Sequence, residues 1–452
     1  MVVMLASIVA RRAVPLATAA TVGGLALFGG LAWCGSLDAS TPSNGGSPVA
    51  ISGSEAASPA SPLGIEAVTD VSGDGAGPAT IAGINARGDV AGYWPYSGRA
   101  FLFTGGRRYD LAAPSSSPAP SGDPASATAP LATRPSIMVG ALNERGQVAG
   151  AVDLGNGRFQ PVVWHLPGAA AVPVGPPGAG TSKDINDRGD VLVDNGASVV
   201  VVHAGVGPAG GGEFTRVPAM PGAVRQYGEA INDHGVVIGS AEIVQPGGAR
   251  VTRSYLWDGA RLVDLGVLEP RADGYAFVRA VAINERGQVV GVSSTASDDS
   301  HAFRWEKGQM TDLGTLGGRS SFAAAINERG QVVGHAATAG EAVHAFVWAD
   351  GTMMDLGVLG GDESLAASID DAGRIAGSST VAPGSTTTHA VLWTARTAPT
   401  GLGLVATATD LGVPSGFAAS DGVGTGGPRA VVGMATRAGR AAHAFVWTVR
   451  AG

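Results

Sequence analysis

The chain has 452 residues, 45% hydrophobic and only 15% charged, with a net charge of −8. That balance excludes a disordered chain, and the acidic total argues against nucleic acid or an anionic membrane surface as the partner. The 71 glycines suit a protein built of turns, and the one cysteine, Cys34, rules out an intrachain disulfide and a cysteine-based zinc site.

In chain order, residues 1–34 read as a signal peptide or membrane anchor. Arg11 and Arg12 precede an uncharged stretch of 21 residues, Ala13 to Trp33. That length spans a bilayer with the arginines held on the cytoplasmic side. Cleavage, retention as an anchor and lipidation at Cys34 are all compatible with it; Leu31-Ala32-Trp33-Cys34 resembles a lipobox, with Trp33 where a small residue belongs. Residues 35–63, rich in Ser, Pro, Gly and Ala, read as a flexible linker. Ile65 to Val71 then reads as a strand with no hairpin partner of its own.

Residues 64–452 repeat. Asn284 and Asn327, His301 and His344, Trp305 and Trp348, and Asp312 and Asp355 are each separated by 43 residues. A fixed period of that size marks a repeat architecture. One copy holds four strands: Ser321 to Ile326, Gln331 to Gly334, His344 to Trp348 and Thr352 to Leu356. The Asn-x-x-Gly step between the first two is a hairpin turn, with Asn bonding its own backbone and Gly taking a positive φ.

Turns of this kind start at Asn85, Asn143, Asn186, Asn232, Asn284, Asn327 and Asp370, and the glycines that close two of them are Gly287 and Gly330. A degenerate eighth unit lies near Ser420 to Gly427 and has no fourth strand, because the chain stops at Gly452. These units predict an all-β fold, a β-propeller of eight four-stranded blades, with Ile65–Val71 closing the last blade against Ala442–Trp447. Seven blades is the alternative, reached if the weak third or eighth unit fails to form. The Pro/Ser/Ala-rich insertion Ala113–Ser136 reads as a surface loop.

The combination of Ala-Ile-Asn-x-x-Gly-x-Val-Val-Gly, His-Ala-Phe-x-Trp and Met-x-Asp-Leu-Gly-x-Leu-Gly-Gly resembles the HAF-type extracellular repeat, named for its His-Ala-Phe triplet. The match is strong over residues 230–361, clear to 412, weaker over 64–205 and partial over 413–452. The resemblance implies a propeller-like β fold and an extracytoplasmic, bacterial setting. It supplies no catalytic residues.

Chemically capable residues fall on repeat positions. His301, His344, His389 and His443 recur at one place, as do Trp257, Trp305, Trp348, Trp393 and Trp447, and Asp264, Asp312, Asp355 and Asp410 precede Leu-Gly. Equivalent positions in a ring lie in different blades, so a shared metal is not expected; the histidines read as structural imidazoles that hydrogen-bond the next hairpin, the aspartates as turn or strand-end caps and the tryptophans as core between blades. Nucleophile elbows, zinc-protease, phosphate-loop and dinucleotide motifs are absent. The sequence therefore assigns no catalytic residue, no metal and no cofactor, and it identifies no ligand-binding residue. The expectation is an exported, non-catalytic, monomeric scaffold that binds a polysaccharide or protein of the cell envelope, touching the membrane only through its N-terminal segment. The alternatives are a propeller-fold hydrolase or lyase acting on an envelope polymer, and a purely structural display module.

Overall fold

The computed structural model describes residues 64–73, 77–114, 136–155, 157–165, 170–204, 213–245, 247–397, 404–437 and 442–450. The N-terminal segment, the linker and most of the insertion at 113–136 lie outside them. The described residues form strands and turns, and no helix among them is long and apolar enough to cross a membrane.

The strands pair in chain order into four-stranded antiparallel units. Two of these, running from Val278–Ile283 to Gln309–Asp312 and from Gly317–Ile326 to Thr352–Asp355, touch through one parallel bridge, Ser300 to Ser320, and so count as one eight-stranded sheet. The diverged third unit forms four strands, Thr181–Ile185, Val191–Asp194, Val199–Val202 and Phe214–Arg216. In the last, Ala419–Gly426, Ala430–Thr436 and Ala442–Val449 are joined by Ile65–Asp70 from the other end of the chain, Val68 opposite Trp447 and Asp70 opposite Phe445. We number the units as blades 1 to 8 from Thr80–Ile84, the first strand of blade 1. The stretch from Ser420 is thus the innermost strand of blade 8, and its turn follows at Gly427.

The first strand of each blade packs beside the first strand of the next, and Ala419–Gly426 returns to Thr80–Ile84. The result is an all-β propeller with the first strands around its axis.

Strand alternation divides the core between neighbours. In Val343–Ala349, Phe346 and Trp348 pack with Ala282, Val290 and Ala302 of blade 5. Ala345 and Val347 pack with Ala366, Ile375 and Trp393 of blade 7. Each blade is thus glued on both faces by apolar burial, worth roughly 1.5–3 kcal/mol for a side chain such as Phe346. At the Val347 position of blade 5 stands Arg304, whose guanidinium lies 4.8 Å from the ring centre of Trp348 in the next blade. A cation stacked on the indole replaces the aliphatic contact there.

Every innermost strand carries a β-bulge three residues before its turn, as the register shifts between Ala280 and Ala282 and between Ala323 and Ala325 show. The extra residue bends the strand where it lines the axis.

Candidate functional site

The Asn-x-x-Gly turns gather at one mouth of the axis. Within each, the Asn side chain uses both its oxygen and its amide nitrogen. Asn284 Oδ1 accepts from Arg286 N and Gln288 N, while its Nδ2 donates to Gln288 Oε1. The same Nδ2 donates to the carbonyl of Asn327 in the next blade at 3.1 Å. This joint runs from Asn85 to Asn143, Asn186, Asn232, Asn284, Asn327 and Asp370. Gly287 and Gly330 close their turns at φ 75° and 80°, a region that only glycine enters without strain.

A second ring lies one residue further on, which the reading of the sequence passed over. Glu144, Asp187, Asp233, Glu285, Glu328 and Asp371 each accept the backbone N–H of the equivalent residue in the blade before. The signal was an acidic residue after the turn Asn in copy after copy, visible only once the turns are stacked. These carboxylates and the apolar residues before each Asn line two adjoining cavities. One of about 80 Å³ holds Leu142, Ile185, Ile283 and Ile326 among its walls. One of about 410 Å³ holds Ile84, Ile369, Asp371 and Arg374, and Glu144 belongs to both. The mouth is an acidic collar over an aliphatic floor.

The pattern changes at blade 8. Asp370 has no amide to pass on, and Arg374 Nη2 instead bonds Asp370 Oδ2 at 2.5 Å and the carbonyl of Gly427. Blade 8 then meets blade 1 through glycine: a Cβ on Gly427 would lie 2.5 Å from the Ala86 carbonyl oxygen.

The repeat histidines lie away from this mouth, whereas His234, in the blade 4 turn, has Nδ1 3.3 Å from Glu285. His301, His344 and His389 each place Nδ1 within 2.9 Å of the carboxylate of Asp312, Asp355 or Asp410 on the fourth strand of the same blade. His443 does so with Asp70. Arginine fills the position in two other blades, as Arg99–Asp110 and Arg253–Asp264. The carboxylates also accept the N–H of the following turn, for example Gly314 on Asp312. The imidazoles therefore bond within their own blade, not to the next hairpin, and among the described residues no group of three or more ligating side chains could hold a metal ion.

Trp257, Trp305, Trp348, Trp393 and Trp447 are buried between blades, and Trp393 Nε1 donates to the Leu356 carbonyl of the preceding blade at 3.0 Å. Such rings present no face for a sugar. His203, outside the repeat pattern, has Nε2 2.8 Å from Thr215 Oγ1.

No protein-family model matches the chain. No curated protein matches it either. Among solved structures it is similar to the β-propeller domain of the trilobed protease from Pyrococcus furiosus, at 10% identity and TM-score 0.42 over 69% of this chain and 95% of that one. It is also similar to a virginiamycin B lyase from Staphylococcus aureus, at 11% identity and TM-score 0.39 over 69% and 94%. A puromycin-hydrolysing peptidase of Mycobacterium tuberculosis gives 13% identity and TM-score 0.43 over 81% and 59%.

Proposed function

We propose that this chain is an exported, non-catalytic propeller of the HAF-repeat type that binds a polymer of the cell envelope at its central opening. One observation carries the reading. The side chains that could do chemistry at repeat positions are already bonded into the frame: asparagines and acids to the next turns, histidines to aspartates. A general base or nucleophile needs a partner that is free to meet substrate. What the opening offers instead is a rigid, shaped rim with an apolar floor, which suits recognition.

The test is capture of envelope components by the purified protein, beside a glycan array, with assays on ester, glycoside and peptide substrates. Saturable binding without turnover is expected. Turnover lost on His203→Ala would reject the reading in favour of a hydrolase or lyase. Export is tested separately, by fusing residues 1–60 to a reporter active only outside the cytoplasm; normal synthesis of an inactive reporter would rule export out.

A further inference from the structure

The bulge position is where the repeat is broken. Blades 1, 2 and 5 to 8 place Ala82, Gly140, Val281, Ala324, Ala367 and Val423 there, all small or apolar. Blades 3 and 4 place Lys183 and Glu229. Folding does not ask for charge at this position, since six blades bend without it.

Glu229 is 7% exposed and accepts a hydrogen bond from Ser240 Oγ at 3.2 Å. Burial pushes its carboxyl up, against the pull of Arg279, Ser240 and Lys183. Arg279, from the first strand of blade 5, brings Nε to 3.7 Å from Glu229 Oε1, too long for a hydrogen bond, and leaves 41% of its side chain exposed. Neither the Lys183 nor the Arg279 side chain makes a hydrogen bond among the described residues. Two partly exposed cations thus flank the buried Glu229 carboxyl, and a second buried carboxyl, Asp194, lies within electrostatic reach of Lys183.

We propose that Lys183 and Arg279 form an anion subsite in the wall of the central opening, which takes the carboxylate of a uronic acid residue in an acidic polysaccharide, with Glu229 meeting a neighbouring sugar hydroxyl. The assignment rests on the envelope-polymer reading and names the class of polymer. A guanidinium and an ammonium group whose side-chain N–H donors are unused gain most from a carboxylate, which can accept from both. A buried carboxyl beside them both accepts from and donates to hydroxyls, depending on its proton. The three residues lie three to five positions before the turn asparagines, roughly 10–17 Å along the strand from the acidic collar. That collar repels an anion, so the ligand enters from the opposite mouth.

Lys183 and Lys307 are the two lysines of the chain, and Lys307 sits on an exposed hairpin tip. Reductive methylation with a carbon-13 label keeps the charge of both and gives two resolvable side-chain signals in the full-length protein. Trigalacturonate is expected to shift the Lys183 signal and leave Lys307 unmoved, while the neutral galactose trimer shifts neither. Arg279→Ala should weaken that binding about tenfold or more, and Arg279→Lys should restore part of it. A Lys183 signal unmoved by the acidic trimer at millimolar concentration would overturn the subsite, while envelope capture could still succeed at another part of the ring. An equal shift with the neutral trimer, or with inorganic phosphate, would overturn the uronate assignment.

Discussion

His443 Nδ1 lies 2.7 Å from Asp70 Oδ2, so the clasp of the ring repeats, across 373 residues of chain, the pair that other blades make between adjacent strands. Asp70 also caps the N–H groups of Ser72 and Gly73. Burial pushes its carboxyl up, but the bonds from His443, Gly73 and Ser72 outweigh that and hold it below the ordinary value. Asp70→Ala should lower stability by about 1–3 kcal/mol, and deletion of residues 1–72 by more. Thermal melts of the two variants check this; a deletion protein as stable as the parent would contradict the closure. Because the folded value is depressed, Asp70's contribution is present above the ordinary carboxyl range and lost as pH falls through the folded value.

The turn glycine and its neighbour should differ sharply. Gly330 has a φ of 80°, and a Cβ there would lie 3.0 Å from Gln288 Oε1 in the preceding blade. Gly330→Val should cost roughly 1–2 kcal/mol or more from left-handed strain and crowding. Arg329 is exposed, and Arg329→Ala should stay within about 0.5 kcal/mol. Denaturant melts that gave equal effects would show the turn to be assigned wrongly.

Asn284→Asp should cost about 2–4 kcal/mol, because it removes two donated bonds and buries a charge. Blade 7 has its own solution, an aspartate at this position with arginine four residues on. The double change Asn284→Asp with Gln288→Arg should therefore recover part of the loss. Double-mutant melts measure the coupling, and a strictly additive result would mean that Arg374 is not what supports Asp370.

His335 is half-buried and stacks on Phe322, with ring centres 5.1 Å apart. Burial brings its imidazole down from 6.5 to about 4. The folded state then binds fewer protons than the unfolded chain between those values. Stability is full above about pH 6.5 and falls toward pH 4, by up to roughly 3 kcal/mol from this group. Glu229 acts with the opposite sign: its carboxyl is raised by burial, so its contribution is lost as pH rises through the folded value. Melting temperatures of His335→Phe and Glu229→Gln across pH separate the two; a His335→Phe profile parallel to the parent's between pH 4 and 6.5 would remove the histidine from the account.

The frame was legible because a 43-residue period repeats Asn284, His301 and Trp305 as Asn327, His344 and Trp348, and each type has a local job in a hairpin or strand. What crosses between blades was not. Glu328 looks like any solvated turn acid until the backbone N–H of Glu285 is placed beside it. His344 gave no sign of its partner, since Asp355 lies opposite only when the strands take their register. Lys183 and Glu229 escaped notice for a related reason: they sit in diverged first strands, and their position is defined by a bulge that only pairing reveals.

The amide joints all point one way. Each asparagine from Asn85 to Asn327 donates forward to the next turn, and each after Asn85 receives from the one behind. A ring held by such arrows has a sense of rotation, and every link between blades 1 and 7 is interchangeable. Whole repeats can therefore be added or removed within that arc without redesigning a joint, whereas the arginine and glycine contacts of Arg374, Gly427 and Ala86 are a seam that must be kept. Growth by duplication is confined to one side of the ring, and the clasp of Ile65–Asp70 on Ala442–Val449 belongs to the other.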